Sequence, residues 1–197
     1  MRGVGSHACR SAPVAAPGDT AAPGSYDAST VDDVQRDIAD RLALRRLVDT
    51  YARDVDHRDS DAVALLFAPT GRLVAHFDPG APGSPTIRTG REEIRGALVD
   101  GLARYLGTTH VVGGQVVGLG AGGDRDRATG ETTCLAHHVY ERAGERRLLV
   151  MAVRYHDEYV RTTGDDGGGP GGEGGVWCFA QRQLHVDWRD DRPVAQR

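Results

Sequence analysis

Every stretch with helical spacing in this chain lies before residue 106, and nearly everything after it alternates. Thr108–Leu119, Arg127–Tyr140, Arg147–Arg161 and Val176–Trp188 are long segments rich in β-branched and aromatic residues. Gly-Ala-Gly-Gly-Asp at 120–124 and Ala-Gly-Glu at 143–145 supply turns between them. Strands joined this directly form an antiparallel meander. No helix separates them, so a wound parallel sheet is excluded, and the fold class is α+β. A strongly bent antiparallel sheet wrapped on helices leaves a cavity at its open end, a common ligand site. Gly113, Gly114 and Gly118 lie inside a strand segment and fit the bulges or bends that such curvature requires.

Three helices are predicted ahead of the meander. The first runs from Val31 to about Arg58, with Val34, Ile38, Leu42, Val48 and Val55 near one stripe and Leu47 and Tyr51 close by. Thr30 with Asp33 resembles a capping box at its start. A short second helix spans Ser60 to Phe67, with Ser60 as N-cap. Ala-Pro-Thr-Gly at 68–71 stops it, and Arg72–Phe77 reads as a short strand. A loop covers 78–85. Thr89 and Glu92 then form a capping box for a third helix carrying Ile94, Leu98 and Leu102 and ending near Tyr105.

Residues 1–29, rich in Ala, Pro, Gly and Ser, read as a disordered leader. Residues 30–190 form one domain, with a glycine-rich mobile hairpin tip at 162–175, and 191–197 is a tail. The formal net charge of -4 gives no general attraction to nucleic acid or anionic membranes. All 24 basic residues are arginine, which removes lysine Schiff-base chemistry and a Walker-type phosphate lysine. Cys9, Cys134 and Cys178 are odd in number and widely spaced, arguing against a disulfide framework or a zinc site. No apolar run approaches a membrane span, and a reducing cytoplasmic setting is the expectation.

Few residues could carry chemistry. His110 opens a strand and by period two shares a face with Val112 and Val116, read as the inward apolar face. A neutral imidazole beside a carboxylate is a standard proton-abstracting base. Asp56 closes the first helix, where a carboxylate opposes the negative end of the dipole. Read alone, it is a solvated helix end, as are Asp54, Asp59 and Asp61. Arg41, Arg45 and Arg46 read as a solvated face. His137 and His138 are adjacent on a strand, so only one can face the cavity. Val153, Tyr155 and Asp157 share one face of their strand, and Arg154, His156 and Glu158 share the other.

Several segments together resemble a known family. Tyr-Ala-Arg-Asp-Val-Asp-His-Arg-Asp (51–59), Leu-Leu-Phe-Ala-Pro-Thr (65–70), Thr-Thr-His-Val-Val-Gly-Gly (108–114) and Ala-His-His-Val-Tyr (136–140) occur in the order found in the NTF2-like superfamily. The branch most resembled is the SnoaL-like one, with polyketide cyclases, scytalone dehydratase and hexachlorocyclohexane dehydrochlorinase. The resemblance runs from about Ile38 to Trp188. It implies an NTF2-like cone, three helices on a curved antiparallel or mixed sheet enclosing a pocket.

It also implies a dyad of His110 as base and Asp56 as its orienting carboxylate, with His137 as the second catalytic histidine. Tyr51, Phe67, Val112, Val153 and Tyr155 are the expected substrate-binding residues. Val55 and Ala75 stand where scytalone dehydratase holds a water with tyrosines, so that substrate is not implied. The implied activity is a cofactor-independent dehydratase or cyclase acting on a polyketide-like or cyclic carbonyl metabolite in secondary metabolism, with no metal and a homodimeric assembly. The alternative is a non-catalytic small-molecule-binding or accessory subunit, because the same pocket serves either role.

Overall fold

The computed structural model describes residues 28–77, 84–162 and 175–194. Nearly all of the expected leader, most of the 78–85 loop and the glycine-rich tip lie outside these residues. Helix α1 (Ala28–Asp56) and the short α2 (Ser60–Leu65) come first. Strands β1 (Phe67–His76) and β2 (Thr86–Thr89) then form a hairpin, followed by α3 (Arg91–Ala103). The meander is β3 (Gly107–Leu119), β4 (Arg127–Arg142), β5 (Glu145–Thr162) and β6 (Val176–Pro193). Together the strands make one six-stranded sheet in the order β2-β1-β6-β5-β4-β3. Only the β1–β6 pairing is parallel.

Helix α1 buries the face that carries Leu44, Leu47, Val48, Tyr51 and Val55, spaced three and four apart. Each is worth about 1.5–3 kcal/mol over its exposed state. They join Phe67, Ile94, Tyr159, Trp177 and Phe179 in the main core. The expected stripe holds only in this second half. Val31, Val34, Ile38 and Leu42 are exposed, because they occupy a different face of the helix. Arg41 and Arg45 do not merely face water. Their guanidinium groups donate to the carbonyls of Val117 and Gly113 on β3. β3 is an edge strand, and the two arginines satisfy carbonyls that no neighbouring strand reaches.

Caps differ from expectation by one position. Asp59, not Ser60, caps α2 by accepting from the Ala62 N–H at 2.9 Å. Gly90 stands at the start of α3, and Glu93 rather than Glu92 reaches back to the Thr89 N–H. Residues 68–71, read as the stop of the second helix ahead of a strand starting at Arg72, are already part of that strand. They lie within β1, where the pairing with β6 is irregular between Phe67 and Arg72. The last strand continues through Pro193, beyond the expected tail boundary.

Curvature comes from register shifts. One lies between Val112 and Gln115 of β3, and two lie between β5 and β6. A side chain at Gly113 would place Cβ 2.5 Å from Thr133 Oγ1, so glycine is required there. The bulge reverses the alternation of β3. His110 and Val112 face the helices before it, and Gln115, Val117 and Leu119 do so after it, whereas Val116 is 76 % exposed. The expected inward position of Val116 is thereby corrected.

Candidate active site

Asp56 is the last residue of α1, and its carboxylate meets the start of β3. Its Oδ1 lies 2.7 Å from His110 Nδ1 and accepts from Thr108 Oγ1 at 2.9 Å. Its Oδ2 accepts from the His110 backbone N–H at 2.8 Å. A carboxylate at a helix C-terminus is disfavoured by the dipole unless hydrogen-bonded, and these three contacts answer that cost. Burial pushes the Asp56 pKa up. The His110 ring, the His110 backbone and Thr108 outweigh it and hold the carboxyl below its ordinary value. With Nδ1 engaged, Nε2 is the nitrogen of His110 available to a substrate.

The dyad opens on a cavity of about 270 Å³ between the sheet, α1 and α3. Tyr51 and Val55 of α1, Leu98 of α3, and Met151, Val153 and Tyr155 of β5 are among its walls. An engineered apolar cavity of roughly 150 Å³ holds one benzene, so this one suits a body of one or two rings.

His138, not His137, lines the cavity, and the expected second histidine is corrected accordingly. Opposed residues of paired strands share a face. His110 opposes Ala136 and Thr108 opposes His138, which turns His137 outward toward the Thr109 carbonyl. The His138 ring stands 5.6 Å from that of His110 and 4.4 Å from that of Tyr105. Burial first, and then His110, pushes its pKa down to about 4, so it is neutral near pH 7. Its Nδ1 is buried without a hydrogen-bond partner.

Of the expected substrate-binding residues, Tyr51, Val153 and Tyr155 stand on the cavity wall. Phe67 and Val112 do not; both pack in the core beneath it. Asp54, expected to be solvated, is buried and paired with Arg53 at 2.7 Å. Sequence reasoning also missed Thr108, although it sits two residues before His110 on the same strand face. It missed Arg182 as well. This arginine is fully buried, faces Asp157 at 3.2 Å, and lies 3.9 and 4.2 Å from the ring centroids of Tyr155 and Tyr51. No sequence signal marks it, because an arginine in an alternating strand reads as solvent-facing.

The described residues contain no group of three or more metal-ligating side chains placed to hold an ion. No described helix is long and apolar enough to cross a membrane.

This architecture, helices inside a curved sheet with a polar pair at the cavity, is an NTF2-like fold. The chain belongs to the SnoaL-like domain family, whose model matches residues 36–183. Three solved structures illustrate the likeness. A putative scytalone dehydratase from Novosphingobium aromaticivorans is 19% identical, with TM-score 0.61 over 82% of this chain and 93% of that one. The hexachlorocyclohexane dehydrochlorinase LinA-type3 from Novosphingobium barchaimii is 18% identical, with TM-score 0.61 over 83% and 94%. An NTF2-like protein with a cystatin-like fold from Novosphingobium aromaticivorans is 20% identical, with TM-score 0.59 over 83% and 92%. No curated protein matches the sequence.

Proposed function

We propose that this protein is a cofactor-independent lyase or cyclase acting on a cyclic carbonyl metabolite. The observation that carries the reading is the 2.7 Å contact between Asp56 and His110 at the wall of an apolar cavity. A purely binding subunit would have no need of an oriented base. Two of the structural relatives are named for eliminations, a dehydration and a dehydrochlorination. Polyketide-like substrates, secondary metabolism and a cytoplasmic setting belong to the same reading.

In the proposed reaction His110 Nε2 takes a proton from the carbon beside the carbonyl. The C–H electron pair becomes that of an enolate, and Asp56 stabilises the imidazolium that forms. His138, neutral and on the cavity wall, donates a ring N–H to the enolate oxygen in place of His137, with Tyr155 alongside. In a dehydration the enolate pair forms the new C=C bond and expels hydroxide, which leaves as water with the proton held by His110. Ring closure or isomerisation begins with the same proton transfer. A homodimer fits the outer sheet face, where Val111, Leu135 and Trp188 lie exposed in one row through Ala152.

The test is deuterium exchange beside the carbonyl of a cyclic ketone, followed by NMR. The native protein accelerates exchange, and His110→Ala slows it by about 10²–10⁴-fold with an unchanged circular dichroism spectrum. Exchange that survives the substitution removes His110 as the base.

A further inference from the structure

The rim of the cavity carries two arginines that the reaction above does not use. Arg88 projects from the edge strand β2 and Arg104 follows the last turn of α3, and both line the same cavity as His110. Neither guanidinium meets a carboxylate among the described residues. Arg88 donates only to its neighbour's backbone carbonyl at Ile87, and Arg104 lies only over the ring of Tyr105. The usual work of an arginine at a helix C-terminus is done by another residue. Arg58, from the α1–α2 turn, donates to the carbonyls of Leu102 and Tyr105. Arg104 is thus released from capping. Its charge is felt inside the cavity, where it adds to the downward push on His138.

Among the described residues that line the cavity, Asp100 is the one acidic group; it is exposed one turn before Arg104 and pairs with neither arginine. The described residues of the rim therefore carry a net positive charge above an apolar chamber. Arginine forks match a carboxylate with two parallel hydrogen bonds.

We infer that Arg88 and Arg104 form a carboxylate-binding rim, so that the substrate is a cyclic keto acid. Its ring and carbonyl enter the apolar chamber and its carboxylate stays at the mouth. This rests on the cavity being the substrate site proposed above. The arrangement sets the substrate's direction, presenting the ring rather than the acid group to His110.

Two probes of equal shape test it, 2-naphthoate and the uncharged 2-acetylnaphthalene, by calorimetric titration at low and high salt. Naphthoate is expected to bind at least ~10-fold tighter at low salt, by the added charged hydrogen bonds. High salt shrinks the preference. The Arg88→Gln/Arg104→Gln variant loses the preference and keeps its affinity for the ketone. His110→Ala keeps the preference, which separates the rim from a charged imidazole. Equal binding of the two probes, or a preference that survives the double substitution, overturns the rim and leaves the chamber as the substrate site. A preference that vanishes with His110→Ala overturns it too. If neither probe binds, the chamber reading and the rim fall together. If the preference follows the arginines but deuterium exchange ignores His110, the rim stands and the proposed chemistry falls.

Discussion

The two ends of the cone are built from the same strands and put to opposite uses. At the closed end, Tyr159 of β5 and Trp177 and Phe179 of β6 fill the space beneath α1 with Phe67. The ion pair of Arg182 and Asp157 is sealed there too. At the open end, β4 and β5 present Ala136, Met151 and Val153 instead, and a chamber remains. The closed end pairs its charges with each other, although Asp157 Oδ1 and Arg182 Nε meet as an ion pair without a hydrogen bond, and Arg182 Nη1 has none among the described residues. Tyr159 donates to Asp157 at 3.0 Å, and Gln115 reaches the Tyr159 hydroxyl at 3.3 Å. The open end leaves a histidine nitrogen and two rim guanidinium groups without such matches. The closed end sets its buried charges against one another, and the open end leaves its two rim cations without a carboxylate among the described residues.

Asp157→Ala should break the closed end most severely. It leaves the Arg182 charge buried without its carboxylate, a cost of about 3–5 kcal/mol. Replacing both partners, Asp157→Leu with Arg182→Met, should recover most of that loss. Urea denaturation of the two variants decides it, and a double variant as unstable as the single one refutes the assignment.

At the open end the cost is set by pH. The His138 pKa is about 4 in the folded protein against roughly 6.5 in an unfolded chain. Between these values the unfolded chain binds more protons, so stability falls as pH drops from 6.5 toward 4, by about 3 kcal/mol in full. Asp56 has a depressed carboxyl, and its contribution is lost only further down, below roughly pH 3.8. Denaturation at pH 7 and pH 4.5 should show the first loss in the native protein and not in His138→Phe. The smallest effect is at Thr108. Thr108→Val removes one of the three hydrogen bonds to Asp56 and should cost about 1 kcal/mol, measured by thermal unfolding.

The meander was legible because its turns are short and its strands long. Three of the four strands began within two residues of expectation, and the fourth began at Val176 as read. The dyad was legible only through the family resemblance. A lone aspartate at a helix end looks solvated, and its partner lies 54 positions away. The choice between His137 and His138 depends on strand register, which adjacent residues do not encode. Arg182 was hidden because its partner Asp157 is set by cross-strand pairing, and the rim arginines because they come from β2 and the end of α3. The exposed stripe on α1 misled for a simpler reason: its periodicity is helical, but it lies on a face the core does not use.

The bulge at Gly113–Gly114 bears on what this strand can tolerate. It acts as a phase shifter between two messages written on one strand. Upstream residues are read by the active site and downstream residues by the floor, and the two are set out of step by the bulge. Loss of one glycine would restore an even step of two between Val112 and Gln115, keeping His110 beside Asp56 and Gln115, Val117 and Leu119 on the inner face while removing the bulge that bends the strand. A deletion there would act on shape alone, straightening the strand while every side chain keeps its side.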